Sequence, residues 1–212
     1  SSAASDVYKR QKYPIFSFDF TGAKRGVLPA SYDYLRLEGR MQYRLNLPPI
    51  GYSQLMLEGG KIFGKVPYLL LKLHEGNGTY FYDRYAFSCM NFYEFSSDAW
   101  ISFFYEHHFN GFLLGRVPLL KKLNWREVFV FKGVYGTLSA RNDGSLPNTK
   151  AVMLFPVGMS SVEHPYLETG FGIENIFRLL RVDCIWRLTH HRAVPGLSIP
   201  TFTVNFSLNL KF

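Results

Sequence analysis

Residues 202–212 read FTVNFSLNLKF, and this stretch alternates strictly between apolar and polar side chains. Successive side chains of a β-strand point to opposite faces, so the alternation predicts a strand with one apolar and one polar face. Residues 33–46 repeat the pattern: Leu35, Leu37 and Met41 fall on one face, and Arg36 and Glu38 fall on the other. Each stretch therefore predicts a sheet with different surroundings on its two sides.

Nine segments of the chain share this two-residue period and are separated by Gly, Pro, Asn or Asp. They are residues 15–20, 33–46, 52–63, 85–95, 99–109, 125–138, 166–175, 182–190 and 202–212. Most of them exceed the roughly 5 to 6 residues of an average strand and reach the roughly 9 to 11 that a tilted strand needs to cross a bilayer. The pattern predicts an all-β fold, an antiparallel transmembrane β-barrel of the outer-membrane type with about nine strands.

The composition narrows the class of protein. With 47% hydrophobic and 17% aromatic residues among 212, the chain is too apolar for intrinsic disorder. The mean hydropathy of -0.05 argues against a bundle of membrane-spanning helices. A formal net charge of +8 fits a nucleic-acid partner, an anionic membrane surface or a basic exterior. The basic run of Lys121, Lys122 and Arg126 is short and lacks a recognisable binding module, so we expect no nucleic-acid partner.

Charged residues of both signs share the polar faces of the predicted strands. We predict that they form a polar network lining the barrel lumen: Arg36, Glu38, Arg40, Arg44, Glu58, Glu94, Glu106, Glu168, Glu174, Asp183 and Arg187. The arginines at 36, 40 and 44 need carboxylates nearby, and Glu38 and Glu58 are the nearest in sequence. Such a network either stiffens a closed barrel or lines an anion-selecting pore. In the alternative fold, a soluble β-barrel, the aromatic faces turn inward and bind an apolar ligand.

Motifs that could carry catalysis are weak. The neighbouring histidines His107 and His108 point to opposite faces of a strand and cannot both bind one metal ion. Glu106 and His108 share a face, which leaves a barrel-embedded envelope hydrolase as a weaker alternative. The stretch GFGIEN at 170–175 lacks the third glycine of a dinucleotide motif. We expect no enzymatic activity, no cofactor and no metal, and we place Cys89 and Cys184 on the apolar face.

Two connections differ from simple turns. Residues 64–84 and 110–124 each contain a Val-Pro pair followed by leucines. We expect both to fold against the end of the barrel or into its mouth, with a short helical turn after Pro118. Residues 1–11 look like a non-native, adaptor-derived segment, which leaves 12–212 as the C-terminal part of the barrel domain.

Three segments carry a resemblance to a known family. They are GKIFGKVPYLLLKLHEGNGTYFYDRYAFSCMNFYEF at 60–95, EHHFNGFLLGRVPLLKKLNWREV at 106–128 and YLETGFGIENIFRLLRVDCIWRLTH at 166–190. In this order they resemble a family of uncharacterised outer-membrane proteins. Its members join a carboxypeptidase-regulatory-like sandwich domain to a β-barrel domain of unknown function. The resemblance spans roughly residues 13–212 and implies further strands upstream, so we expect a partial barrel here.

The resemblance also implies a place in the cell, which is the Gram-negative outer membrane. The implied partners are outer-membrane lipid, lipopolysaccharide and the barrel insertion machinery. The chain end resembles the C-terminal insertion signal of outer-membrane barrels, carried here by Phe202, Phe206, Leu208, Leu210 and Phe212. The implied role is a channel, transport or envelope-assembly component. With Phe212 at the periplasmic rim, strand counting places 139–165 outside the cell, and 64–84 and 110–124 together on the periplasmic side.

Overall fold

A computed structural model describes residues 13–24, 32–145, 154–191 and 197–208. Within these residues, eight strands form one sheet in which every neighbouring pair is antiparallel. In sheet order they are β1 (Ile15–Ala23), β2 (Tyr34–Asn46), β3 (Tyr52–Gly64), β6 (Ala99–His108), β7 (Arg126–Thr137), β9 (Tyr166–Ile176), β10 (Leu180–Arg187) and β11 (Phe202–Leu208). The all-β prediction is confirmed.

The two faces of this sheet differ in polarity, although β7 places Val128, Val130 and Val134 beside Lys132 on the polar side. The face that carries Arg36, Glu58, Glu106 and Lys132 is here called the covered face. The opposite, apolar face carries Phe20, Leu35, Phe63, Ile101, Tyr135, Phe171, Trp186 and Phe206, all of them exposed. Cross-strand partners keep the two sets apart, as where Arg40 lies opposite Glu58 and Phe129 opposite Phe171. The alternation in the sequence therefore predicts the side-chain orientation correctly.

The predicted strand 85–95 is wrong. Residues 85–94 form turns, and only Phe95–Ser97 (β5) is extended. Tyr93 has a φ of 58°, which interrupts an extended chain. The aromatic side chains of this stretch repeat every second residue because several pack on the covered face, and Phe87 and Phe95 are 1% and 3% exposed there. They do not face outward, as a strand of the main sheet would have required.

Residues 65–98, which we call the covering segment, run between β3 and β6 and lie against the covered face. The segment contains a 3₁₀ turn at Tyr68–Leu70 and strands β4 (Lys72–Leu73) and β5. These two strands form a small second sheet with β8 (Ser160–Ser161). Three apolar clusters hold the segment in place, and each combines its residues with residues of the main strands. In the largest, Phe87 packs on Phe104 and Tyr166 at ring distances of 5.1 and 5.3 Å.

The covering segment also reaches the free edge of β11. The amide of Phe206 donates to the Tyr80 carbonyl at 2.7 Å, and the Tyr82 amide donates to the Phe206 carbonyl at 2.8 Å. Asn205 adds a side-chain bond to the Thr79 carbonyl at 3.1 Å. The segment therefore occupies main-chain groups on β11 that would otherwise be free to pair with another strand.

The loss of one predicted strand changes the positions of the connections. Residues 65–98 are a single connection at the same end of the sheet as 138–165 and 188–201. Residues 109–125 lie at the opposite end, together with the turns 47–51 and 177–179. The prediction that 64–84 and 110–124 share one side is therefore wrong. It failed because 85–95 was counted as a crossing strand.

The helices that the structure describes are short. They are the predicted turn after Pro118, which forms helix α1 (Pro118–Lys121), and the 3₁₀ turns at Tyr68–Leu70 and Leu114–Arg116. None of these is long or apolar enough to span a bilayer.

Candidate functional site

The covered face brings together charged side chains from β2, β3, β6, β7, β9 and β10. A soluble protein seldom buries charges fully unless they are paired or hydrogen-bonded. Here Lys132, Glu168 and Asp183 are each 0% exposed, and Glu106 is 1% exposed. Every one of them has partners, and many of those partners belong to the covering segment.

Glu106 on β6 is the centre of the largest cluster. Its carboxylate accepts from Arg84 Nε of the covering segment at 2.8 Å and from Arg181 Nη2 of β10 at 3.2 Å. The Tyr82 hydroxyl also donates to it. Arg181 binds Asp183 with two bonds of 2.8 Å, a fork that suits the planar guanidinium group. Two carboxylates and two arginines therefore balance their charges, with Glu106, Asp183 and Arg181 buried and Arg84 partly exposed.

Gly172 makes room for this cluster. It lies opposite Asp183 in the register of β9 and β10. A Cβ atom at Gly172 would come within 2.2 Å of Asp183 Oδ1. A larger residue would push the carboxylate out of its position beside Arg181. The glycine of the GFGIEN stretch thus serves close side-chain packing on the covered face and does not belong to a nucleotide-binding turn.

His108 is the last residue of β6 and extends the cluster toward the end of the sheet that carries the turns 47–51 and 177–179. Its Nε2 lies 3.4 Å from Glu106, and its Nδ1 lies 3.2 Å from Glu174 on β9. The imidazole stacks on Tyr52, with ring centroids 4.5 Å apart. His107 points to the apolar face and bonds Ser53 Oγ at 2.8 Å, so the two neighbouring histidines do lie on opposite faces.

A second cluster binds the main chain of the covering segment. Lys132 Nζ on β7 donates to the carbonyls of Asp83 and Ala86 at 2.7 and 2.6 Å. Glu168 on β9 accepts from the amides of Ser88 and Cys89 at 2.8 and 2.6 Å. The strands therefore supply the hydrogen bonds that this irregular backbone cannot make within itself.

Two further ion pairs fix the ends of the segment. Arg187 on β10 binds Glu94 at 2.5 Å and also donates to the Cys89 carbonyl at 3.1 Å. Lys72 binds Glu58 on β3 at 2.5 Å. The covering segment is thus attached to the main sheet by charges at both of its ends and near its middle.

The predicted network is distributed over these clusters. Arg36 pairs with Glu38, and Arg40 with Glu58, both at 2.6 Å. Arg44 has no carboxylate among its described partners and lies 3.8 Å over the ring of Tyr52. Arg187 faces Glu168 in register, yet its guanidinium binds Glu94. Glu94 reaches the network from the covering segment, because the strand predicted to carry it does not exist.

The residues predicted as an insertion signal lie at the apolar face of β11 where they are described. Phe202, Phe206 and Leu208 are 47%, 39% and 55% exposed. Leu210 and Phe212 lie outside the described residues, as does the segment 1–11.

Burial alters the acid–base behaviour of the covering segment. It lowers the pKa of His74 to about 3, with Lys72 adding to the effect, so the imidazole is neutral at pH 7 and bonds Ser97 Oγ at 2.9 Å. Burial, aided by Glu168, raises the pKa of the Cys89 thiol to about 12. The prediction for Cys89 is wrong: it lies inside the structure against Val128, Val130 and Ile185. Cys184 does take its place on the apolar face, in register with Phe171.

The contacts of Glu106 bear on the predicted hydrolase alternative. The partners of Glu106 are Tyr82, Arg84, His108 and Arg181, so its oxygens are engaged and no serine or cysteine is among them. Among the described residues, no group of three or more His, Cys, Asp or Glu is placed to hold a metal ion.

Two larger cavities lie at the two ends of the sheet. One of about 690 Å³ is bounded by Asn91–Phe95 of the covering segment and by residues 156–164, 187–191 and 197–199. The other, of about 960 Å³, lies at the opposite end between 110–126 and 175–179. A smaller cavity of about 320 Å³ lies under the covering segment, beside Glu58 and Lys72.

Comparison with protein-family models gives one match over residues 4–140. It is to the family of unknown function (DUF5686), C-terminal domain. The chain belongs to this family. The matched range runs from before β1 to just beyond β7 and so contains the whole covering segment, together with Glu58, Glu106 and Lys132. A comparison with curated proteins finds no match.

Several members of the site were missed from the sequence. They are Lys72, Tyr82 and Arg84 of the covering segment, Lys132 of β7, and Asn142 in the connection after β7. Asn142 is 1% exposed, accepts from the Val66 amide at 3.0 Å and donates to the Gly64 carbonyl at 3.2 Å. One signal was available for Lys132: its side of β7 also carries Val128, Val130 and Val134, which indicates a face covered by other residues.

Proposed function

We propose that this chain is the C-terminal part of a β-barrel of the Gram-negative outer membrane, closed at rest by the covering segment. The proposal rests on the polarity of the sheet, in which charged side chains are buried and apolar side chains are exposed. Lys132, Glu168 and Asp183 are fully buried, whereas Phe18, Phe20 and Phe171 are 69%, 74% and 60% exposed. Water favours the opposite arrangement, and a bilayer favours this one.

The exposed apolar residues support the membrane location because they extend across the whole sheet. Each of the eight long strands contributes at least one of them. A continuous apolar surface of this extent on a soluble protein would drive association. In the alternative, a soluble barrel that binds an apolar ligand, these side chains would turn inward, and their exposure speaks against it.

The connections support an orientation. Outer-membrane barrels have short periplasmic turns and longer external loops. The end with 47–51 and 177–179 has the shorter turns, and β11 runs toward that end. We therefore assign the periplasmic side to this end and the external side to the end with 65–98, 138–165 and 188–201.

The closed state is supported by the way in which the covering segment is bound. Lys132 and Glu168 bind its main chain, and Lys72, Arg84 and Glu94 bind carboxylates and a guanidinium of the strands. Such contacts fill the face that would line an open pore. We therefore favour a transport or envelope-assembly barrel that opens only when the segment moves, over a constantly open pore.

The membrane location is tested with two matched substitutions in the full-length protein. Phe171→Arg places a charge at the middle of β9, and we expect it to destabilise the membrane-inserted protein by about 2–4 kcal/mol. Phe177→Arg changes a residue that is 84% exposed in the turn after β9, where the cost should be about 0–1 kcal/mol. The readout is the amount of folded protein in the outer-membrane fraction. Equal tolerance of both, or purification as a soluble monomer without detergent, would refute the proposal.

Closure of the barrel by the covering segment is tested by measuring conductance in planar bilayers. The variant K72Q/R84Q/E94Q removes the three charges of the covering segment that pair with Glu58, Glu106 and Arg187, and it leaves all eight long strands unchanged. We expect the native protein to be silent and this variant to show channel openings. The control K61Q/R116Q/E163Q changes the same residue types at exposed positions and should stay silent. Steady conductance of the native protein, or silence of all three proteins, would contradict closure by a movable segment.

A further inference from the structure

The end of the sheet with the shorter turns carries a group of four cations around a cavity. Lys121, Lys122, Arg126 and Arg178, here called the basic rim, border the cavity of about 960 Å³. Lys121, Lys122 and Arg178 are exposed, and Arg126 is half-buried. Among ion pairs between described residues, none involves these four side chains, whereas four cations on the covered face and two on the covering segment are paired.

Acidic groups on the adjacent strands are engaged elsewhere. Glu127 accepts from the Leu114 amide, and Glu174 binds His108. The two loops that carry the rim are held together at their bases, because Asn175 donates to the Asn124 carbonyl at 2.7 Å. Arg126 still faces Glu174 in the register of β7 and β9. Lys121, Lys122 and Arg178 border one cavity on two joined loops, and their charges have no ion-pair partner among the described residues.

Apolar side chains surround the same cavity. Phe177, Leu123 and Leu179 are 84%, 46% and 39% exposed, and Trp125 is half-buried beside them. Cations beside exposed aromatic and leucine side chains are typical of a membrane interface, where phosphates meet the cations and acyl chains meet the apolar groups. A free phosphate ion would use only the cations and would leave the apolar residues in water.

We propose that the basic rim binds the phosphodiester headgroup of an anionic phospholipid in the leaflet next to this end of the sheet. The inference rests on the proposed membrane location, and it adds a lipid class and a site. Lys121, Lys122 and Arg178 contact the phosphate region, while Phe177 and Leu123 insert among the upper acyl carbons. Each cation near an anionic surface strengthens binding by about fivefold.

The test uses the full-length protein, purified in detergent, with lipid retention measured by native mass spectrometry. The probes are phosphatidylglycerol and phosphatidylcholine with the same acyl chains. We expect preferential retention of phosphatidylglycerol, weakened by salt between about 50 and 500 mM because exposed charges are screened. The variant K121Q/K122Q/R178Q should lose roughly 100-fold in apparent affinity.

The control K61Q/K65Q/R141Q removes two lysines and one arginine at exposed positions toward the other end of the sheet, and it should keep the native preference. Equal loss in both variants, equal retention of the two lipids, or displacement of phosphatidylglycerol by inorganic phosphate at about 10 mM would overturn the inference. If a variant fails to fold, the salt dependence of phosphatidylglycerol retention by the native protein tests the inference without it. Failure of the proposed function is distinguishable, because the protein would then be soluble without detergent.

Discussion

Charges on the covered face are buried to very different degrees in two regions of the sheet. The first half here means the region around β2, and the second half means the region from β6 to β10. On β2, Arg36 and Glu38 keep side-chain exposures of 24% and 22%. On β6 and β10, Glu106 and Asp183 keep 2% and 0%. The strands of both halves alternate in the same way, so the difference comes from how the covering segment lies on each: Tyr82 and Arg84 bond Glu106 directly, whereas Lys72 comes only within 3.9 Å of Glu38. Burial of a charge here is decided by a segment distant in sequence.

The largest expected effect comes from removing a carboxylate on the second half. Glu106→Gln leaves Arg84 and Arg181 without their shared anion, and we expect a loss of about 3–5 kcal/mol in the free energy of unfolding. Glu38→Gln on the first half should cost only about 0–1 kcal/mol, since its pair with Arg36 is partly solvated. Urea unfolding of the protein in lipid vesicles, followed by tryptophan fluorescence, measures both. Similar losses would mean that the covering segment does not create the difference.

A smaller effect is expected where the burial involves a neutral group. Asn142→Ala removes the partners of the Val66 amide and the Gly64 carbonyl, and we expect it to cost about 1–3 kcal/mol. The matched substitution Asn46→Ala changes an exposed amide and should stay within about 0.5 kcal/mol of the native protein. The same unfolding assay applies. If Asn142→Ala is neutral, the loop 138–145 does not hold the start of the covering segment.

The smallest effect is a dependence on pH that originates in the covering segment itself. The pKa of His74 in the folded protein is about 3, below its ordinary value of 6.5. Its stabilising contribution is therefore complete above pH 6.5 and is lost as the pH falls toward 3. Between pH 7.5 and 5.5 this amounts to roughly 1.4 kcal/mol. His74→Gln should remove that loss while keeping a partner for Ser97. An unchanged pH profile in the variant would show that folding does not lower the pKa of His74.

Local patterns in the sequence predict most of the main sheet. Alternation identifies its eight long strands, and it assigns Arg40 and Phe171 to the correct faces. Such a pattern fails at 85–95, because Phe87 and Phe95 obtain their spacing by packing on Phe104 and Tyr166, without any strand pairing. A two-residue period indicates which side chains are buried. A loop that packs on a sheet can show the same period as a strand.

The contacts of the candidate site also divide into those that the sequence predicts and those that it does not. The bond between Arg40 and Glu58 joins neighbouring strands, so the sequence predicts it once the strands are known. Pairs such as Arg84 with Glu106, or Glu94 with Arg187, need the position of the covering segment, which no local pattern provides. Lys132 lies between these cases, since valines on its side of β7 indicate a covered face but do not identify the groups that it binds.

The bonds between Phe206 and residues 80–82 also constrain the order of folding. Asn205 and Thr79, which belong to this contact, lie 126 positions apart in the chain. Closing such a long loop carries an entropic cost that only later contacts offset, and contacts of this separation form slowly. The covering segment cannot complete its contacts until β11 lies beside residues 79–82. We therefore expect the burial of Tyr82 to be among the last events of folding, a kinetic sign that the final hairpin has assembled.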